Sequence, residues 1–119
     1  MLVLTGCGTA EREAAAQHAA DRFVSSLDSA GAGVGNACAL LAPDTKKSLE
    51  NSGQSCEQEL PGLALPRGQA KTTAVWADRA QVRTSDDTLF LVELDSGWRV
   101  VAAGCRHDTE ETYQCALAD

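Results

Sequence analysis

The chain reads as an α+β domain in which N-terminal helices pack on one face of a curved, antiparallel, four-stranded sheet. Three observations predict this. An Ala-rich opening stretch repeats its apolar residues at helical spacing; the residues after Pro66 change to β-branched alternation broken by short polar turns; and 119 residues suffice for one hydrophobic core but not two. The composition agrees with a folded domain, at 44% apolar and 23% charged residues.

Taken in order, Thr9 caps a first helix whose opening turn carries Glu11 and Glu13, acids suited to the positive end of the helix dipole. The helix runs to Leu27. Ala16, Ala20, Phe23, Val24 and Leu27 fall on one stripe, whereas Glu13, Gln17, His18, Asp21 and Ser25 point elsewhere. Residues 29–33, Ser-Ala-Gly-Ala-Gly, end it. A short second helix spans Asn36 to Leu41 and stops near Pro43, and a further turn covers Asp44 to Leu49. Ser55 and Gln58 form a capping box that opens a third short helix ending at Pro61. Four strands follow: Ala70–Ala77, Ala80–Thr84, Thr88–Asp95 and Trp98–Ala103. The polar turns Asp78-Arg79, Ser85-Asp86-Asp87 and Asp95-Ser96-Gly97 join them as an antiparallel meander. Tyr113, Cys115 and Leu117 alternate with polar or small neighbours, which predicts a terminal extended segment tied back to Cys105.

Charge excludes one class of partner. Ten Lys and Arg against seventeen Asp and Glu give a net charge of −7, so nucleic acid is not an expected ligand. The longest apolar run, Ala37 to Ala42, is far shorter than the roughly 18 residues of a membrane-crossing helix.

Leu4-Thr5-Gly6-Cys7 resembles the bacterial lipoprotein processing box, in which the cysteine thiol receives a diacylglycerol thioether and a peptidase cuts just before it. Thr5 and Gly6 are the small residues such a cut requires. A charged n-region and a long apolar h-region normally stand ahead of the box, and here only Leu2, Val3 and Leu4 do. The reading is of a start assigned too far downstream or a chain trimmed to the box. Residues 1–7 are then a signal remnant and 8–119 a single extracytoplasmic domain. The resemblance implies a lasting membrane anchor, because two buried acyl chains hold far more firmly than one.

With Cys7 carrying lipid, Cys38, Cys56, Cys105 and Cys115 remain, and an even remainder in an exported protein points to two disulfides. Four cysteines allow three connectivities; Cys38–Cys56 with Cys105–Cys115 is chosen because each closes a short loop within one half of the chain. A four-thiolate zinc site is disfavoured, since no CxxC knuckle exists, and neither metal nor cofactor is expected.

Helices followed by a curved sheet resemble the cone-shaped fold named after nuclear transport factor two, which ketosteroid isomerases and polyketide cyclases share. At finer grain the chain is similar to small actinobacterial lipoproteins of that type. The carrying segments are Ala37-Cys38-Ala39-Leu40-Leu41-Ala42-Pro43, Gly97-Trp98-Arg99-Val100, Gly104-Cys105 and Tyr113-Gln114-Cys115. They are structural motifs and imply a fold and a location rather than an activity.

An isomerase of this fold places an aspartate base and a donor tyrosine inside the cone. The candidates here are Glu93 or Asp95 as base and Tyr113 as donor; Glu93 shares a strand face with Leu89 and Leu91. His18 lies opposite the helix stripe and His107 falls in the polar Arg106–Thr112 loop, each without a nucleophile partner. A two-residue Ser96-Gly97 loop would put Phe90, Val92 and Leu94 on one sheet face with Val101 and Ala103. Leu91 and Glu93 would then share the other with Trp98, Val100 and Ala102. Both faces are largely apolar and helices cover only one, so the face of Leu91, Trp98 and Val100 is the expected binding surface, for an envelope protein, a small apolar ligand or a second copy. The first expectation is therefore a membrane-anchored, extracytoplasmic, non-catalytic binding module, and the alternative is a small isomerase- or cyclase-like enzyme.

Overall fold

The computed structural model describes residues 4–27, 32–107 and 112–119, with the side chains of 8–27, 33–106 and 112–119. Helix α1 (Leu4–Leu27) is followed by α2 (Ala32–Ala39), α3 (Pro43–Leu49) and α4 (Cys56–Glu59). Tight 3-10 turns sit at Glu50–Ser52 and Leu60–Leu63. Strands β1 (Ala70–Trp76), β2 (Arg79–Thr84), β3 (Thr88–Leu94), β4 (Gly97–His107) and β5 (Tyr113–Leu117) then form one antiparallel sheet in the order β1-β2-β3-β4-β5.

The helix-then-sheet arrangement is α+β, but the sheet has five strands where four are expected. The extra one is the terminal segment, whose Leu117 and Cys115 pair with Ala103 and Cys105 of β4. Helix α1 begins at Leu4 rather than at a Thr9 cap, and α2 lies at Ala32–Ala39, earlier than the expected Asn36–Leu41. The Ser55–Gln58 capping box opens α4, with Ser55 Oγ accepting from the Gln58 amide and the Gln58 side chain accepting from the Ser55 amide. His107 closes β4, and residues 108–111 of the expected polar loop lie outside the described residues.

The first half of β4 pairs with β3 and its second half with β5, and the change of partner falls between Ala102 and Ala103, just before Gly104. Gly104 has φ +66°, and a Cβ there would stand 2.8 Å from Leu65 Cδ2 and 3.0 Å from Ala116 Cβ, so only glycine fits. The Asp87 carboxylate holds the bend from the β2–β3 turn, accepting from the amides of Gly104 and Cys105, both at 2.8 Å. The stretch of β4 that β5 does not reach is covered by residues Leu40 to Ala42: the Val100 amide donates to the Leu40 carbonyl, and the Ala42 amide donates to the Val100 carbonyl. Buried Thr45 donates its hydroxyl to the Val101 carbonyl at 2.9 Å, satisfying the backbone where the β3–β4 register slips.

Helix α1 lies across the sheet, and the core fills the space between them. Ala16 and Ala20 let the backbones approach, Phe23 fills the centre, and Leu89, Leu91, Val82 and Val100 meet them from the strands. Polar side chains fix the crossing: Thr73 Oγ1 donates to Gln17 Oε1, and Asp21 Oδ1 accepts from the Ala70 amide. Leu60, Leu65 and Cys56 close one end of the core.

Candidate functional site

Period-two alternation assigns each strand residue to a sheet face. Ala80 and Val82 of β2, Leu89 and Leu91 of β3, and Trp98 and Val100 of β4 are all buried, so these residues face α1. The expectation that Leu91, Trp98 and Val100 form an open binding face is therefore overturned. They are 1%, 5% and 0% exposed, and the amphipathic helix is laid on them. The hairpin loop is Asp95-Ser96, with Leu94 paired to Gly97, rather than Ser96-Gly97. That one-residue slip in each strand keeps Leu91, Glu93, Trp98 and Val100 on a common face, whereas the irregularity beyond Leu91 pairs Ala102 with Phe90 and turns Ala103 into the core.

Glu93 shares the helix-covered face but is not set in an apolar cavity. Its Oε1 accepts from Arg12 Nη2 at 2.7 Å and from Nε at 3.2 Å, and the same guanidinium donates to the Ala77 carbonyl and lies 5.6 Å over the Trp98 ring. Arg12 comes from α1, so the pair docks helix to sheet at its rim; with both side chains more than a third exposed, it contributes about 1 kcal/mol or less. Both of these hydrogen bonds fall on Oε1 and orient the carboxylate toward Arg12 at the rim. Asp95 is exposed in the β3–β4 turn. Tyr113 stands on the opposite side of the sheet, its ring 5.1 Å from that of Phe90 in an edge-on contact and its hydroxyl accepting from Gln81 Nε2 at 3.5 Å. Phe90 and Gln81 alternate with buried Leu89, Leu91, Ala80 and Val82 and so face away from α1. The base and donor of an isomerase-like site are thus held on different faces. The Trp98 indole N–H is buried without a hydrogen-bond partner. His18 is exposed.

Four cysteines are joined as Cys38–Cys56, with Cα atoms 6.1 Å apart, and Cys105–Cys115, 3.9 Å apart. The first ties α2 to α4 and the second crosses from β4 to β5. Cys7 lies in the backbone of α1, and its side chain is outside the described residues. Among the described residues no three His, Cys, Asp or Glu side chains converge as metal ligands, and no helix is long and apolar enough to cross a membrane.

The uncovered face has its own pattern. Trp76 pairs with Arg79, Arg79 with Val92, and Val92 with Arg99, so one row crosses four strands. Trp76 is 50% exposed and Leu94 37%. Along this row a groove of about 320 Å³ is lined by Val92, Leu94 and Val101 together with Arg79, Ala42, Pro43, Asp44 and Asp119. The sequence reading singles out none of these arginines. The signal lies in Arg79-Ala80-Gln81-Val82-Arg83, where apolar residues alternate with long polar ones and give the strand an inside and an outside. Placing Arg79 in the turn hides it; the turn is Ala77-Asp78, with Ala77 at φ +52°.

Compared with known proteins, the chain matches no family model, no curated protein and no solved structure.

Proposed function

We propose that this chain is a lipid-anchored, extracytoplasmic binding module that performs no catalytic turnover. The observation that carries the reading is the use of its sulfur. Two disulfides take up Cys38, Cys56, Cys105 and Cys115, which leaves Cys7, behind the small residues Thr5 and Gly6, as the thiol for acylation. Disulfides persist in oxidising compartments, which supports export, and acylation at Cys7 accounts for the fifth cysteine. The likeness to small actinobacterial lipoproteins with a nuclear-transport-factor-two-like domain belongs to the same proposal and is supported by the order of helices before an antiparallel sheet. Two observations favour binding over catalysis: Glu93 is committed to Arg12, and Tyr113 lies across the sheet from it. A core filled by Phe23, Leu60, Leu89 and Leu91 favours a protein partner at the envelope over an apolar molecule held inside.

Intact-mass analysis of the protein from its native host tests this. The expected mature chain begins at Cys7, carries diacylglycerol and further acyl mass, lacks four thiol protons and sediments with membranes, and Cys7→Ser moves it to the soluble fraction. A soluble, unmodified chain with five free thiols would contradict the reading.

A further inference from the structure

The row on the uncovered sheet face is unusual for this molecule. The chain as a whole carries seven more acids than bases, yet the outward positions of the first four strands include Arg79, Arg83 and Arg99 and no carboxylate. They stand among apolar side chains that also point outward, namely exposed Trp76 and Leu94 and half-buried Phe90, whose ring meets that of Tyr113. Adjacent strands lie about 4.8 Å apart, so the backbone positions of Arg79 and Arg99 flank Val92 about 10 Å from one another in the same row.

These charges are little used within the domain. Arg79 Nε approaches Asp78 Oδ1 at 3.8 Å, a loose contact between two exposed side chains. Arg99 donates to the backbone carbonyls of Trp98 at 3.0 Å and Ser96 at 3.2 Å, which hold its guanidinium in place without neutralising it. Among the described residues no carboxylate lies within ion-pair distance of Arg83 or Arg99. The acids that border the groove, Asp44 and Asp119, line it beside Ala42 and Pro43.

We propose that this face docks an acidic protein partner, with Arg79, Arg83 and Arg99 receiving its carboxylates and Trp76 and Leu94 receiving the apolar side chains between them. Arginine and aromatic side chains are enriched at protein–protein interfaces and dominate their hot spots, whereas lysine is depleted there. The three strand arginines are of that kind, and no outward position of β1 to β4 paired across the sheet is a lysine. Guanidiniums held in a planar, fixed orientation suit bidentate carboxylate contacts. A face made for an anionic lipid surface would gain as much from lysine, so the composition favours a protein. The inference deepens the binding-module reading, on which it rests, but does not depend on the lipid anchor.

The test uses the full chain with both disulfides formed, Cys7→Ser to keep it unacylated, and a soluble glutamate–tyrosine copolymer as the acidic, aromatic probe. The copolymer is expected to bind, to weaken as salt is raised, and to lose roughly tenfold or more in affinity when Arg79 and Arg99 are both changed to Glu. Trp76→Ser should weaken it without changing the salt response. A lysine–tyrosine copolymer, drawn to the acids elsewhere on a chain of net charge −7, should lose no affinity on these reversals. Unchanged thermal melting of the variants shows that the loss is one of contact rather than of folding, and Arg83→Glu alone provides a second reading should the double variant fail to fold. Absence of copolymer binding, or binding indifferent to these reversals, overturns the proposal. So does arginine-dependent binding to phosphatidylglycerol vesicles when the copolymer does not bind, because the face then serves a lipid surface. Since every arm is run without acylation, failure here is separable from failure of the anchor.

Discussion

The two faces of the sheet are built from the same strands and differ in almost everything else. Toward α1, Val82, Leu89, Leu91 and Val100 are buried in one cluster with the helix, and Glu93 is held at the rim by Arg12. Away from α1, the same strands present arginines beside Trp76, while Tyr113 packs on Phe90 and residues around Ala42 cover Val92 and Val101. Alternating side chains thus give one ladder of hydrogen bonds both a side packed on α1 and a side that carries the strand arginines. Two tryptophans mark the difference: Trp98 is 5% exposed and Trp76 50%.

The sharpest way to break this comparison is to truncate one side chain on each face. Phe23→Ala removes a side chain that is 0% exposed from the centre of the core and should cost about 3–5 kcal/mol in urea unfolding. Arg83→Gln on the open face should stay within about 0.5 kcal/mol of the parent. If the two cost the same, the division into faces is wrong. Next in size are the disulfides. Replacing Cys38 and Cys56 together by Ala opens a link of 18 residues' separation and should cost about 3 kcal/mol, with Cys105–Cys115, separated by 10, costing slightly less. Urea unfolding of each double variant measures it.

Asp87→Ala removes the carboxylate that holds the bent backbone of β4, leaving the Gly104 and Cys105 amides without that acceptor, and should cost about 1–3 kcal/mol. Hydrogen exchange should then rise at those two amides before it rises at Val100. Among the changes on the helix-covered side, the smallest effect is expected for Trp98→Phe. It gives up an indole N–H that has no partner and keeps an aromatic ring in the core, so the loss should be about 1 kcal/mol or less by thermal melting.

Much of this architecture was legible in the sequence. The strand boundaries follow from polar turns between alternating runs, and the helix stripe of Ala16, Ala20, Phe23 and Val24 is the stripe that packs. The common face of Leu91, Glu93, Trp98 and Val100 also survives the change of hairpin loop, because moving the turn by one residue in each strand preserves side-chain parity. What alternation did not carry was which face the helix would choose. Both faces hold apolar residues in β3, and the choice rests on long-range contacts such as that between Arg12 and Glu93, 81 positions apart. The irregularity near Val101 was equally hidden, since it depends on Leu40 to Ala42 and Thr45 joining β4 from outside the sheet. The role of Glu93 is hidden for the same reason: strand patterning makes it a candidate base, whereas its partner Arg12 comes from a distant helix.

Single-tryptophan variants test the division of faces most directly, because each leaves one reporter on one side. With Trp98→Phe, the emission of Trp76 should be quenched efficiently by acrylamide and should shift when the glutamate–tyrosine copolymer is added; with Trp76→Phe, the emission of Trp98 should be shielded and unmoved. A shielded Trp76 together with a quenchable Trp98 would place the helix on the other face and contradict the account.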